Sequence, residues 1–281
     1  MSLVVCVHGI GQQFSGEDEQ HKRWLPAMND GLRRAGHPVL DPEDVSCAFY
    51  GDLFRPPGRR LSGTLPPYDA SDVAEGLESE LLLSWWEEAA RVDEAVVAPG
   101  ERTLVRTPHA VQRALDALSG SSFFADVALR ALIADTKQVR AYLTDPSVRS
   151  AAQERVAASI TPRTRVVVAH SLGSVVAYET LAAHPEWAVD TLVTLGSPLG
   201  IRHLVYHRLL PAGGGWPGPV RHWTNIADAG DVVALVKDLA GPFGPRVENH
   251  IVHNGSRAHD VDRYLNTVEA GRAVGRGCHG N

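Results

Sequence analysis

Residues 166–176 place a hydrophobic strand, a tight turn at a serine and the start of a helix in direct succession. They read VVVAHSLGSVV, so a short hydrophobic run leads to Ser171 and a second short run follows it. The residues two positions before and after the serine, Ala169 and Gly173, are both small, as a strained turn at the serine requires. The strand is hydrophobic throughout rather than alternating, which indicates burial on both faces of a parallel sheet. The segment therefore favours an α/β fold.

The rest of the chain repeats this alternation of strands and helices. Strands are predicted over residues 3–7, 45–50, 165–169, 191–195, 221–227 and 247–253. Helices are predicted over residues 25–34, 172–183, 232–239 and 261–273. The alternation predicts a mainly parallel, doubly wound sheet, with residues 1–281 forming a single domain. Ligands of such sheets bind at the carboxyl ends of the strands, so the loops after the strands are where reactive residues are expected.

A long helical stretch interrupts this pattern before the strand that leads to Ser171. It follows a loop rich in Pro, Gly and Arg, and its helices are expected over residues 71–97 with Ser71 as N-cap, from Thr107–Pro108, over residues 123–143, and from Asp145–Pro146. This is more helix than one crossover between strands needs. We therefore predict that residues 55–160 form a helical insertion, or cap, within the domain.

Composition and charge exclude several classes of protein. The chain has 27 Lys+Arg against 33 Asp+Glu and a net charge of −6, which speaks against a nucleic-acid partner. Its three cysteines cannot form a disulfide framework. His203 and His207 lie four apart without a third ligand, so neither a metal nor a cofactor is expected. The amino terminus lacks the pattern of a signal peptide or transmembrane segment, so a cytoplasmic location is expected.

Four short motifs lie at the ends of predicted strands: VHGIG at residues 7–11, AHSLG at 169–173, TLGSP at 194–198 and DVVA at 231–234. Together they resemble the α/β-hydrolase superfamily, specifically its lipase-like serine hydrolases. The likeness is closest to the GPI inositol-deacylase-like and DDHD-type phospholipase groups, and it covers residues 1–50 and 165–265. Ala169 departs from the first glycine of the G-x-S-x-G motif. The resemblance implies an α/β-hydrolase fold in which Ser171 is the nucleophile.

A serine nucleophile needs an acid and a histidine, which in such hydrolases follow it along the chain in that order. Asp228 and Asp231 both come after the strand over residues 221–227. Asp231 occupies the position that the resemblance assigns to the acid, whereas Asp228 leaves the strand first. The aspartate that is not the acid is expected to cap a helix from Val232 onward.

The general base must be a histidine after the last strand. The candidates are His250, His253, His259 and His279. His250 lies inside the predicted strand and His253 at its end, where it remains an alternative. His259 is in a loop directly before a helix, which provides the reach that a proton shuttle needs. We therefore predict a triad of Ser171, His259 and Asp231.

The oxyanion hole is predicted to consist of two backbone N–H groups. One belongs to Leu172, directly after the serine, and the other, by resemblance, to Ile10 in the first loop. His8 is expected to anchor that loop rather than to act as a base.

These features predict a serine hydrolase that cleaves a carboxylic ester, with a lipid or small-molecule acyl ester as substrate. A thioesterase or acyltransferase of biosynthesis is an alternative, because the same triad serves either reaction. A catalytically silent interaction module is another. The run LLLSWW at residues 81–86 is expected either to line an acyl pocket as a lid or to pack the insertion onto the sheet. The oligomeric state does not follow from the sequence.

Overall fold

The computed structural model describes residues 2–55, 64–100, 108–124 and 128–279. Their strands form a six-stranded, all-parallel sheet. The strands are β1 (Val4–Val7), β2 (Val45–Ala48), β3 (Val166–His170), β4 (Thr191–Leu195), β5 (His222–Asp228) and β6 (Val247–Val252). Their order across the sheet is β2-β1-β3-β4-β5-β6. The predicted α/β class with a parallel sheet is confirmed, and each predicted strand lies close to its expected bounds.

Helices cover both faces of the sheet. They are α1 (Glu17–Arg34), α2 (Leu77–Val92), α3 (Pro108–Ser119), α4 (Leu129–Thr144), α5 (Pro146–Ser159), α6 (Leu172–Ala183), α7 (Ala240–Phe243), α8 (Val261–Leu265) and α9 (Val268–His279). Val4 and Cys6 of β1 pack in the cluster with α1, α8 and α9, whereas Val5 and Val7 pack in the cluster with α2, α5 and α6. Each buried valine contributes about 1.5–3 kcal/mol. Burial on both faces explains why the strands are continuously hydrophobic.

The strand order reverses between β1 and β3. The connection after β1 leads to the edge strand β2, whereas β3 to β6 follow one another in the opposite direction. Ligands of doubly wound sheets bind at the carboxyl ends of the strands at such a switch point. The loop after β1 contains residues 8–11 and the turn after β3 contains Ser171, so the topology brings these two segments together.

The helical segment between β2 and β3 contains α2, α3, α4 and α5. Leu82, Trp85 and Trp86 of α2 are buried in the same cluster as Val5 of the sheet. Helix α2 packs mainly against α3 and α4, and Leu81 and Trp85 of the run at residues 81–86 also line the pockets at Ser171, so the structure does not separate the two expected roles of this run. Asp145 accepts the N–H of Ser147 at 2.9 Å and caps α5 as predicted.

Helix α2 begins at Leu77, so the prediction of a helix from residue 71 with Ser71 as its N-cap is wrong. Asp69 instead caps a 3₁₀ turn (Ala70–Asp72), accepting the N–H of Ser71 at 2.8 Å. The Asp72 carboxylate accepts the N–H of Asp69 at 2.9 Å. This reciprocal capping satisfies the local N–H groups within one turn, and the chain then becomes extended. Thr107 and residues 56–63 of the predicted loop lie outside the described residues.

The predicted helix over residues 232–239 is also absent, and α7 begins only at Ala240. Asp231 Oδ1 accepts the N–H groups of Val233 and Ala234, at 2.9 and 3.2 Å. Lys237 Nζ donates to the carbonyls of Asp231 and Ala234. These side chains satisfy the backbone groups that a helix would pair, so an irregular segment is stable here.

Three further helices differ in extent from the prediction. Of the residues predicted as a helix over 123–143, the described ones form a helix only from Leu129, where α4 begins. Helix α1 begins at Glu17 rather than at residue 25, with acidic residues in its first turn that favour a helix start. The closing helix is divided into α8 and α9. The break follows from Thr267, whose Oγ1 accepts the N–H of Ala270 at 3.2 Å and so starts a new helix.

Candidate active site

Ser171 forms the turn between β3 and α6. Its backbone has φ 51° and ψ −130°, and among the described residues it is the one non-glycine residue with positive φ. Such a conformation costs about 1–3 kcal/mol and persists only where its surroundings hold it. The strain directs the serine into a cavity at the carboxyl edge of the sheet, which Ser171 lines.

This cavity has a volume of about 440 Å³, and we call it the main cavity. Its walls come from the loop after β1, the Ser171 turn, helices α1, α2 and α4, and the loop before α8. His259 enters it from that last loop and Trp85 from α2. The main cavity therefore lies at the switch point of the sheet, where the topology predicts a ligand site.

Asp231 is fully buried below the main cavity and bonds to His259. Its Oδ2 accepts from His259 Nδ1 and from the Tyr264 hydroxyl, each at 2.7 Å. Burial alone would raise the pKa of this carboxyl, but the facing His259 imidazole and the hydrogen bonds from His259 and Tyr264 outweigh it and lower the pKa to about 2. Asp231 is therefore ionised at neutral pH and accepts a hydrogen bond from His259 Nδ1–H, so Nε2 is the ring nitrogen that could take a proton.

Asp228, the alternative acid, holds the loops instead. Its Oδ1 accepts the N–H of Gly230 at 2.7 Å, and its Oδ2 accepts the N–H of Asn254. It shares no hydrogen bond with His259 in the described part of the chain. Asp228 also caps no helix, because residues 232–239 are not helical. The expectation that the second aspartate is a helix N-cap is therefore wrong.

The other candidate histidines lie away from Ser171. His250 bonds to Glu248 Oε1 at 2.9 Å, His253 is exposed, and His279 stacks on His37 with ring centroids 6.4 Å apart. The structure brings His259 alone of the four into the main cavity. Among the described residues, His259 Nε2 has no hydrogen-bond partner, so the Ser171–His259 hydrogen bond is not formed.

His170 positions the backbone of His259, a role that the sequence did not indicate. Its Nε2–H donates to the His259 carbonyl at 2.9 Å, and the two rings lie 4.6 Å apart. Burial and the neighbouring His259 lower the pKa of His170 well below its usual value, so the ring is neutral. The one sequence feature that could have drawn attention to His170 is its position directly before Ser171.

Gly196, in the TLGSP motif after β4, leaves room for Asp231 and His259. Its φ is +54°, and a methyl group there would lie 2.7 Å from Asp231 Oδ2 and 3.0 Å from His259 Nδ1. Both the positive φ and the close approach exclude larger residues. The glycine of this motif is therefore required on steric grounds, which the sequence alone did not indicate.

Lys237 and Gln138 connect the helical segment to the site. Lys237 donates to the Asp231 carbonyl and lies 3.3 Å from Glu88 Oε1 of α2. Gln138 of α4 accepts the N–H of Gly11 at 3.2 Å. Helix α2 thus holds the loop that contains Asp231, and helix α4 holds the loop after β1.

The two predicted oxyanion donors lie next to the serine. Leu172 is the first residue of α6, where an N–H has no acceptor one turn back in the helix. Ile10 lines the main cavity with Ser171. The loop that carries Ile10 touches the serine so closely that a methyl group on Gly9 would come within 2.6 Å of Ser171 Cβ.

His8 anchors that loop. Its Nε2 accepts the N–H of Tyr50 at 3.2 Å, so the proton is on Nδ1, which donates to the Gly9 carbonyl at 2.7 Å. Burial lowers the pKa of His8 to about 4, and the ring is therefore neutral. With both nitrogens occupied, His8 is not placed to act as a base.

A second, smaller pocket, the apolar pocket, lies beside the main cavity. Ser171, Ile10, Trp85 and Val233 line both spaces. Its remaining walls are hydrophobic: Leu81, Val139, Leu172, Pro198, Ile201 and Val205. The volume is about 10 Å³, the room that one water-sized group needs.

The described part of the chain lacks a metal-binding cluster and a helix that could span a membrane. It contains no cluster of His, Cys, Asp and Glu of the size that holds a metal ion. The His203 and His207 rings lie 5.6 Å apart, without a third ligand. The described helices include none with the length and hydrophobicity needed to cross a bilayer.

A comparison with protein-family models, curated proteins and solved structures finds no match to this chain.

Proposed function

We propose that the chain has the α/β-hydrolase fold and is a serine hydrolase that cleaves a carboxylic ester. The observation that carries the proposal is the 2.7 Å hydrogen bond between His259 Nδ1 and Asp231 Oδ2, in a structure where Ser171 and His259 line one cavity. The strained backbone at Ser171 supports it, because strain of this kind clusters at functional sites.

In the proposed reaction, Ser171 Oγ attacks the ester carbonyl while His259 Nε2 takes its proton. This requires the Ser171–His259 hydrogen bond to form with substrate, and such bonds are often long in enzymes without substrate. The N–H groups of Ile10 and Leu172 stabilise the negative oxygen by about 2.7–4 kcal/mol per donor. His259 then protonates the leaving alcohol, and water releases the acyl group from Ser171 by the same route in reverse.

Two alternatives use the same residues differently. A thioesterase or acyltransferase would form the same acyl-enzyme, with a thiol as leaving group or another nucleophile in place of water. A catalytically silent module would retain the geometry without the reaction. Covalent labelling separates the silent module from the enzymes.

A fluorophosphonate probe should label the wild-type protein and fail to label Ser171→Ala, because the probe reacts only with an activated serine. Ser256→Ala is the matched control, since Ser256 lines the same cavity outside the turn after β3. That variant should label like the wild type. Intact-protein mass spectrometry measures the adduct. A wild-type protein inert to the probe and to short and long p-nitrophenyl esters would support the silent module.

The apolar pocket favours a short acyl group over the long chain of a lipid. The leaving alcohol takes its proton from His259, which lines the main cavity but not the apolar pocket. The acyl group is therefore directed to the apolar pocket, where Leu81 and Val139 leave little room. We expect kcat/KM for p-nitrophenyl esters to fall roughly 10- to 100-fold from acetate to octanoate.

Val139→Ala should enlarge the apolar pocket and move the preferred ester toward butyrate. Val111→Ala is the matched control, because Val111 is equally buried in the helical segment but lines neither space. It should keep the wild-type profile. Rates that rise with acyl length in the wild type would show that α2 moves aside as a lid.

A further inference from the structure

Asp135 of α4 is a carboxyl in the main cavity that the proposed reaction does not use. It lines the cavity together with Ser171 and His259. Its Oδ1 lies 3.7 Å from the position of a methyl group built on Gly11, so it stands beside the loop that carries Ile10. The apolar pocket does not include it.

Within the described residues, Asp135 has no hydrogen bond and no ion pair. The other carboxylate of the main cavity, Asp260, is paired with Arg23 and Arg257. Arg23 also bonds to Asp262, at 2.9 Å. The cavity's arginines are thus engaged elsewhere, and Asp135 is left as a polar group with no protein partner.

The surroundings of Asp135 are only partly open to water. The side chain is half-buried, and aromatic residues line the same cavity, among them Trp85, Phe123 and Phe124. Burial raises the pKa of the carboxyl to about 7, although the nearby His259 imidazole acts in the opposite direction. A desolvated polar group without a partner costs free energy that a bound donor recovers.

The position of Asp135 indicates which part of an ester it faces. The leaving alcohol must approach His259 in the main cavity to receive a proton, whereas the acyl group enters the apolar pocket. Asp135 lines only the main cavity, so it faces the alcohol. A hydroxyl on that alcohol satisfies the carboxyl in either protonation state, because a hydroxyl both donates and accepts.

We propose that Asp135 is a specificity-determining residue that hydrogen-bonds a free hydroxyl on the alcohol part of the substrate. The substrate class is then a short-chain ester of a polyhydroxy alcohol. This inference rests on the proposed ester hydrolysis and adds the recognition of the alcohol.

The test compares glycerol 1-monoacetate with propyl acetate, which share the acetyl group and the carbon chain of the alcohol but differ in free hydroxyls. Wild-type kcat/KM should be roughly 10- to 100-fold higher for the glycerol ester. Asp135→Leu should remove this preference by lowering the rate on the glycerol ester while leaving propyl acetate unchanged or faster. Asp135→Asn, which keeps an acceptor, should retain part of the preference.

Asp116→Leu serves as the control, because Asp116 is exposed on α3 and lies outside the main cavity. It should keep the wild-type preference. Fluorophosphonate labelling of each variant shows whether Ser171 remains reactive and the site folded. Labelling of the wild type without a preference for the glycerol ester overturns this inference and leaves the hydrolase standing. An unchanged preference in Asp135→Leu also overturns this inference and leaves the hydrolase standing. A wild-type protein that neither labels nor hydrolyses either ester overturns both.

Discussion

Ser171→Ala and His259→Ala should each reduce kcat for p-nitrophenyl acetate by about a millionfold, and the double variant should lose no more than either alone. The two side chains act as one unit in the proposed reaction, because the serine is a weak nucleophile without the base and the base has no proton to take without the serine. Knocking out either member of such a pair costs about as much as removing all of it. Initial rates of the purified variants, corrected for spontaneous hydrolysis, measure this.

The double variant makes the experiment decisive for the geometry. Ser171 and His259 line the same cavity but share no hydrogen bond in the structure. Equal losses in all three variants would show that they couple during the reaction. Losses that multiply in the double variant would show that they act independently, and small losses in both single variants would exclude Ser171 and His259 as the reacting pair.

Asp231→Asn should lower kcat by about ten-thousandfold, whereas Asp228→Asn should change it by less than about tenfold. The Asp231 carboxylate accepts the proton of His259 Nδ1 and fixes the tautomer that leaves Nε2 as a base. An amide in its place presents a donor to the ring and favours the wrong tautomer, a change that costs about 10⁴ in a comparable triad. The same ester assay measures both variants.

Asp228→Asn is the matched control, because Asp228 is also buried and also accepts two backbone N–H groups. It should lose stability, on the order of 1–3 kcal/mol, since an amide cannot accept both bonds as a carboxylate does. Urea unfolding separates this loss from an effect on turnover. A large loss of turnover in Asp228→Asn with an active Asp231→Asn would assign the acid to Asp228.

Local patterns predicted the elements around the serine well. Helix α6 (Leu172–Ala183) has the predicted bounds, and β3 differs little, because both depend on the sequence of one continuous segment. The sequence favoured Asp231 over Asp228 only through the resemblance, because Asp228 is the last residue of β5 and Asp231 follows it three residues later. Their roles differ through partners from distant parts of the chain, which are His259 and Tyr264 at Asp231 and Asn254 at Asp228.

Contacts between distant segments account for what the sequence did not predict. Tyr264 and His170 support Asp231 and His259 through hydrogen bonds that no local pattern encodes. The helix predicted over residues 232–239 does not form, because Lys237 and Asp231 satisfy the backbone groups that it would pair. The sequence did not distinguish Asp135 from other polar residues of its helix, and only the fold shows that it lines the main cavity.

Lys237 and Gln138 make the helical segment structurally inseparable from the site. Lys237 joins Glu88 of α2 to the loop that contains Asp231, and Gln138 of α4 bonds to Gly11 beside Ile10, the proposed oxyanion donor. Excising this segment would therefore loosen both the loop that contains Asp231 and the backbone proposed to bind the oxyanion. A shortened version of this chain would need replacements for both tethers to keep the proposed site intact.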